Sequence, residues 1–342
     1  MNPLHRLATA ALVALLLATI TAPARAVTID WVTVGDPGNT ADDTTYGAVA
    51  DAFRIMKFEW TNSQYVDFLN AVDPDGDNPQ RIYNTNMGSD ARGGISFDTN
   101  ASAGSKYAAK TNMGDKPVNF VSWFDAARVA NWLQNGAQNY PTTDSSASAP
   151  QNTGAYTLGT ATGGTLFTRN SGAQYYIPTE DQWYKAAYYK GSGTNAGYWN
   201  YATESDTAPT VVTADATGIG SAGSTGNSAN FNRGADWNNE DGNVTTVGTN
   251  GGSSAYGAFD MSGNVWEWNE TLMGANRGIR GGFYLNDASF LSSSDEGSST
   301  PTAETIGIGI RLAAVPEPST YAMALAGLAC GGYLVRWRRK RA

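Results

Sequence analysis

Aromatic and branched residues crowd Phe53–Trp60 (FRIMKFEW) between polar flanks, which predicts a strand. Directly after it, Thr61 and Gln64 head a run in which Tyr65, Phe68 and Leu69 recur at helical spacing, so a capped helix is expected. The pattern repeats twice. Ser122 with Asp125 opens a run with the apolar stripe Phe124, Ala127, Val129, Ala130 and Leu133, and Gly136 stands where a C-terminal cap belongs. Thr179 with Gln182 precedes Trp183, Ala186, Ala187 and Tyr188, and Gly191 is expected to end that helix. Between the helices, Thr142–Gly172 and Thr203–Ser228 are dominated by Ser, Thr, Gly, Asn and Ala. Each reads as an interdomain linker or as irregular loop. Because Tyr156, Leu158, Leu166 and Phe167 interrupt the first, loops and short strands within one domain are the favoured reading. No repeat of fixed period is present, which disfavours solenoids and propellers.

The two ends follow a different pattern. Met1–Arg6 is basic, Leu7–Ile20 is apolar or small throughout, and Ala24-Arg25-Ala26 is an A-x-A site, so residues 1–26 read as a signal peptide removed by signal peptidase. At the other end, Pro316-Glu317-Pro318 precedes the apolar run Tyr321–Val335. That run is short for a transmembrane span, which needs about 20 residues, and a terminal core helix is the alternative. Five basic residues among Arg336–Arg341 favour the span, since they would hold its end in the cytoplasm. This order resembles the PEP-CTERM sorting signal of Gram-negative bacteria, which implies an exosortase partner and delivery of residues 27–314 to the cell surface or the exopolysaccharide matrix, with residues 315–342 as a transient inner-membrane anchor.

Composition then removes whole classes of chemistry. The single cysteine, Cys330, and the single histidine, His5, both lie outside residues 27–314. That body therefore has no disulfide, thiolate or imidazole metal site, cysteine nucleophile or Ser-His-Asp triad. It carries 15 basic against 30 acidic residues, a net −15, so nucleic acid is not expected as a partner. Ten Trp and seventeen Tyr supply a core, which excludes a disordered chain.

Oxygen chemistry is what remains. Asp260 and Glu267 flank a Ser-Gly-Asn turn in YGAFDMSGNVWEW, a layout in which carboxylates and carbonyls can converge on a hard cation. Asn230-Phe231 followed by Asp241-Gly242-Asn243 offers a second such set. Spacing alone equally permits ordinary turns with side chain to backbone bonds.

Six motifs in chain order resemble those of the formylglycine-generating enzyme, or sulfatase-modifying factor, family. Phe58-Glu59-Trp60-Thr61-Asn62 with Tyr65 and Phe68 is similar to its E-V-T-N-x-x-Y-x-x-F opening. Pro117–Ala126 (PVNFVSWFDA), Ile177–Trp183 (IPTEDQW) and Gly263–Trp268 (GNVWEW) resemble P-V-x-x-V-S-W-x-D-A, L-P-T-E-A-E-W and G-N-V-W-E-W. Arg280-Gly281-Gly282 and Gly309-Ile310-Arg311 stand for R-G-G and G-F-R. The resemblance implies an α+β fold, an atypical C-type-lectin-like domain with little regular structure. It also implies two structural calcium ions. One would take the Asn230 and Asp241 side chains with the Phe231 and Asn243 carbonyls, the other the Asp260 and Glu267 side chains with the Gly263 and Val265 carbonyls.

The family's catalytic pattern is broken. Its oxidases hold copper on two cysteines shortly after R-G-G-S. Here the serine position is Phe283, and the two cysteine positions are Asn286 and Leu291. The non-haem iron relatives need histidines that the body lacks, so neither copper nor iron is expected. A glycosidase using Glu267 or Glu270 with an aspartate stays open.

The hydroxyl-rich stretch between Gly282 and Gly309 corresponds to the ligand-binding face of lectin-like relatives, including the variable proteins of diversity-generating retroelements. Tyr284, Asn286, Asp287, Ser289 and Phe290 are its candidate binding residues, since aromatic rings give rigid contact and hydroxyls adaptable hydrogen bonds. The expectation is an exported non-catalytic domain binding exopolysaccharide or a surface protein. A purely structural matrix component is the alternative, and an oxidoreductase with an unrecognised site a third.

Overall fold

Each of the three long helices begins where a hydroxyl side chain captures backbone N–H groups left open by the first turn, whereas the single turn Asn86–Ser89 has no such cap. The computed structural model describes residues 27–222 and 226–316, so the signal segment, Glu317, Pro318 and the apolar run after them lie outside the described residues. Helix α1 spans Asn62–Val72, α2 Trp123–Gln134 and α3 Glu180–Tyr188, and all three carry a reciprocal capping box, from Thr61 with Gln64, Ser122 with Asp125, and Thr179 with Gln182. Each such cap contributes about 1 kcal/mol. At the far end of α2, Gly136 takes a left-handed φ of 84°, its N–H donating to Leu133 while that of Ala137 donates to Trp132. That is the Schellman closure the glycine suggests. Helix α3 stops short of Gly191, because Tyr189 turns extended and bridges Tyr198.

The strands are short. β1 (Trp31–Val34), β2 (Phe53–Met56), β5 (Tyr175–Tyr176) and β14 (Ala313–Ala314) form an antiparallel sheet in the order β1-β2-β14-β5. The predicted strand Phe53–Trp60 ends at Met56, because the chain then turns inward, placing Glu59 and Trp60 in the core. A second sheet orders β12 (Gly297–Ser299), β11 (Asn276–Arg280), β10 (Trp266–Met273) and β13 (Ile308–Gly309), with β13 parallel to β10. Three two-stranded pieces complete the set: β3 (Ile95–Phe97) with β4 (Tyr107–Ala109), β6 (Thr210–Val211) with β9 (Ser228–Ala229), and β7 (Thr213–Ala214) with β8 (Gly220–Ser221).

One large core joins the helices to both sheets, with Trp60, Trp123, Trp132, Trp183 and Trp268 fully enclosed. In the long segment 142–172, Tyr156 and Leu158 enter this core and Phe167 packs against it, so it is a loop of the same domain. Leu166 does not join them; it is 90% exposed. Among the described residues no helix is long and apolar enough to cross a membrane.

Candidate functional site

The first four residues of β10, Trp266-Glu267-Trp268-Asn269, are all buried, so the strand carries Glu267 into the centre of the molecule. There it meets Arg311, whose Nε lies 2.9 and 2.8 Å from the two carboxylate oxygens and whose terminal NH2 lies 2.7 Å from Oε1. The other guanidinium contacts go to the carbonyls of Met56 (2.8 Å) and Phe259 (2.7 Å), and Trp183 Nε1 on α3 donates to Glu267 Oε2 at 2.6 Å. Two further acids surround this pair. Asn264 Nδ2 donates to Glu59 at 2.7 Å, while the Gly248 N–H and Asn250 Nδ2 donate to the two oxygens of Asp260. Asp260 (φ 58°) and Asn264 (φ 63°) are both left-handed, a conformation that Asp and Asn tolerate better than other side chains and that lets the Ser-Gly-Asn turn close. Burial, reinforced by the charges of Asp260 and Glu267, pushes the Glu59 carboxyl well above its ordinary range, and burial raises Asp260 as well. For Arg311 burial favours loss of the proton, but the neighbouring Glu267 outweighs it and the guanidinium is held more firmly protonated.

A second buried pair joins two other motifs. Glu180 at the start of α3 accepts from Arg280 Nε and from Asn269 Nδ2. Thus P-T-E meets R-G-G, and the tryptophan of E-D-Q-W meets G-N-V-W-E-W and G-I-R. The densest motifs of the chain are bonded to one another inside it.

After Gly281-Gly282 the chain is packed as well. Leu291 is fully buried against Ala229 and Phe231, Phe283 packs edge-on to Tyr284, and Asn286 Oδ1 accepts from the Phe283 N–H at 3.0 Å. Tyr284 does not reach the surface: it is enclosed, its hydroxyl donating to the Ile306 carbonyl at 3.2 Å. Asp287 caps the short 3-10 turn Ala288–Leu291 and is exposed together with Ser289, while Phe290, 38% exposed, packs edge-on to Trp266.

The family described as "Sulfatase-modifying factor enzyme 1-like domain" matches residues 31–315. The chain belongs to this family. A PEP-CTERM protein-sorting motif matches residues 314–340, which marks the sulfatase-modifying-factor-like protein for exosortase-mediated sorting and export to the cell envelope or surface. The crystal structure of CarF aligns with a TM-score of 0.50 at 21% identity, over 85% of this chain and 99% of CarF. PvdO from Pseudomonas aeruginosa (18% identity, 85% and 93% covered, TM-score 0.41) and Treponema denticola variable protein 1 (17%, 84% and 95%, 0.41) also match. At such identities the likeness is one of fold, and the fold is the α+β, formylglycine-generating-enzyme-like one. No curated protein matches.

Within this family fold, the residues assigned to the first calcium are partly together: the Asn230 side chain meets the Asn243 carbonyl, while the Asp241 side chain lies at the surface. Asn230 is fully buried, its Nδ2 donating to the Asn243 carbonyl (2.8 Å), Thr245 Oγ1 (3.2 Å) and Asn264 Oδ1 (3.1 Å). Asp241 faces solvent and pairs with Arg233 at 2.9 Å, and the Phe231 carbonyl accepts from the Gly234 N–H at 3.1 Å. Asn230 Oδ1 and Asn243 Nδ2 are buried without a partner among the described residues. The second set, Asp260, Gly263, Val265 and Glu267, lies in one turn-and-strand segment at this centre. Glu267 is already neutralised by Arg311, and both oxygens of Asp260 accept protein hydrogen bonds. Glu59, Trp183, Arg280 and Arg311 were passed over as members of this centre, although each stands in a motif quoted above; the signal was there, but only the fold shows which motifs meet.

Proposed function

We propose that this member of the sulfatase-modifying factor family is a surface-displayed binding domain without oxidase activity, holding exopolysaccharide or a surface protein at the envelope of a Gram-negative bacterium. One observation supports it most: the positions where the oxidases carry their serine and two cysteines are Phe283, Asn286 and Leu291, each engaged in packing or in a local hydrogen bond. An alkyl group offers copper no ligand and an amide a poor one. Carboxylate catalysis at Glu267 is also disfavoured, since that group is enclosed and clasped by Arg311, out of reach of a glycosidic oxygen. The exposed residues Asp287, Ser289 and Phe290, with Asn286 behind them, supply the surface that would bind.

The test has two arms. Incubated with copper, oxygen and a sulfatase-type cysteine peptide, the purified protein is expected to leave the peptide mass unchanged; conversion to formylglycine above a no-protein control would end the non-oxidase reading. On an array of bacterial glycans and envelope proteins it should be retained, and silence on all of them would favour a purely structural component.

Calcium enters as a proposal tested on the same protein. Ions held by the folded chain alone would stabilise it by mass action, so its melting temperature should rise with calcium and fall with EDTA, and Glu267→Gln should weaken the response in part. Identical melting curves in calcium and in EDTA would remove the two-site assignment.

A further inference from the structure

We propose that a cavity of about 310 Å³ beside the hydroxyl-rich stretch is a subsite for a neutral saccharide, its wall formed by Asp43, Asn195, Tyr198, Trp199, Asn200 and Ser293. This rests on the binding reading above and narrows its ligand. The volume stands at the lower end of small-molecule pockets, about 300–1,000 Å³, which suits one or two sugar rings.

The frame is fixed by bonds that do not use the wall's free groups. The Trp199 N–H donates to the Tyr188 carbonyl at 2.7 Å, that of Ser293 to the Asn200 carbonyl at 2.8 Å, and that of Asn200 to Asp206 at 3.1 Å. Tyr198 is held from both sides, donating to the Thr40 carbonyl at 2.8 Å and accepting from Asn39 Nδ2 at 2.7 Å, with its ring edge-on to Tyr189. Ser293 lies in the stretch after Gly282 that the sequence marks for binding, so the cavity joins that stretch to the loops around Asp43 and Trp199.

Against this frame, several polar groups stand unused. The Asp43 carboxylate and the Asn195 carboxamide are exposed on the wall and bond to no group among the described residues. Trp199 Nε1 is shielded from solvent and has no acceptor among the described residues, so what the indole offers the cavity is ring surface rather than its N–H. Lys190 Nζ sits 4.2 Å from the Trp199 ring centroid, covering one side of the indole. An indole, a phenol ring, a carboxylate, a carboxamide and a hydroxyl around one small cavity match a ligand with C–H faces and adjacent hydroxyls. Planar carboxylate and amide groups grip such hydroxyls as acceptor and donor, and aromatic rings meet the C–H faces. The sign of charge selects further. Asp42 and Asp43 line the cavity of a body with a net −15, so an anionic polysaccharide or a phosphate is repelled and a neutral sugar is preferred.

The experiment titrates the full-length protein calorimetrically with cellobiose, maltose, lactose and diacetylchitobiose. At least one should bind with a millimolar Kd. Asp43→Asn, Asn195→Ala and Trp199→Phe should each weaken it five- to tenfold; the first two alter exposed side chains without partners among the described residues and should leave the unfolding temperature in place. Affinities unchanged in all three variants would overturn the cavity while a positive array left the binding reading standing. If none of the four sugars binds, the neutral-saccharide proposal fails; if the array is also silent, both fail. Retention of proteins or acidic glycans alone would replace the proposed ligand class.

Discussion

Arg311→Met should lower the unfolding free energy by about 3–5 kcal/mol, the range seen when one partner of a buried ion pair is removed. The methionine fills much of the same volume, so lost packing is a minor part of the effect. The cost lies in what is left behind: Glu267 without its counter-charge, the Met56 and Phe259 carbonyls without donors, and Glu59 and Asp260 nearby. Adding Glu267→Gln to the same chain removes the stranded charge and should recover part of the loss. Urea unfolding of the two single variants and the double variant forms the cycle. Strict additivity of the two single effects would show that the pair is not coupled and would refute this account.

The second large effect is on pH. Asp125, the acid of the α2 capping box, is 2% exposed, and burial followed by the charge of Glu304 pushes its carboxyl up to about 7 against Ser122 and Arg128, which act the other way. The unfolded chain loses this proton near pH 4, whereas the folded chain keeps it until about pH 7. In that window the folded state binds more protons, so stability falls as pH rises. Glu59, Glu180, Asp260, Glu270, Asp295 and Glu304 are shifted upward as well, with burial the first cause in each, and they act in the same direction. The urea midpoint should therefore be higher at pH 5 than at pH 8. Asp125→Asn keeps an oxygen for the Ser122 N–H and should remove about 3 kcal/mol of that difference, two pH units between 5 and 7 at about 1.4 kcal/mol each. A midpoint that climbs steadily from pH 5 to pH 8 would refute the sign.

What the chain reveals before folding divides by range. The three helices were legible because a cap is a local event: Thr61, Ser122 and Thr179 reach groups three residues away. The sheets were not, because β13, β14 and β5 are two-residue strands whose partners come from distant segments, and two residues carry no periodicity. The same limit explains the site. Asp260 and Glu267 are joined by a turn that keeps both beside Glu59 and Arg311. Asn230 and Asp241 are separated by a loop that sends one inward and the other to solvent, which spacing cannot tell. Tyr284 looked like a contact residue because the stretch around it is polar, yet its ring fills a space beneath that stretch.

The clasp of Arg311 on Glu267 also ties the core to the last residues of the body. Arg311, β13 and β14 are the last pieces the core needs, and they stand only a few residues ahead of Pro316. No earlier segment can substitute for them: Glu267 has its guanidinium only when residue 311 arrives, and β2 and β5 remain apart until β14 is laid between them. A nascent chain stopped before Arg311 therefore carries an unneutralised acid in its interior and a sheet split in two, whereas one stopped at Pro316 has everything the core requires. The core is therefore complete only with the residues that directly adjoin the sorting motif.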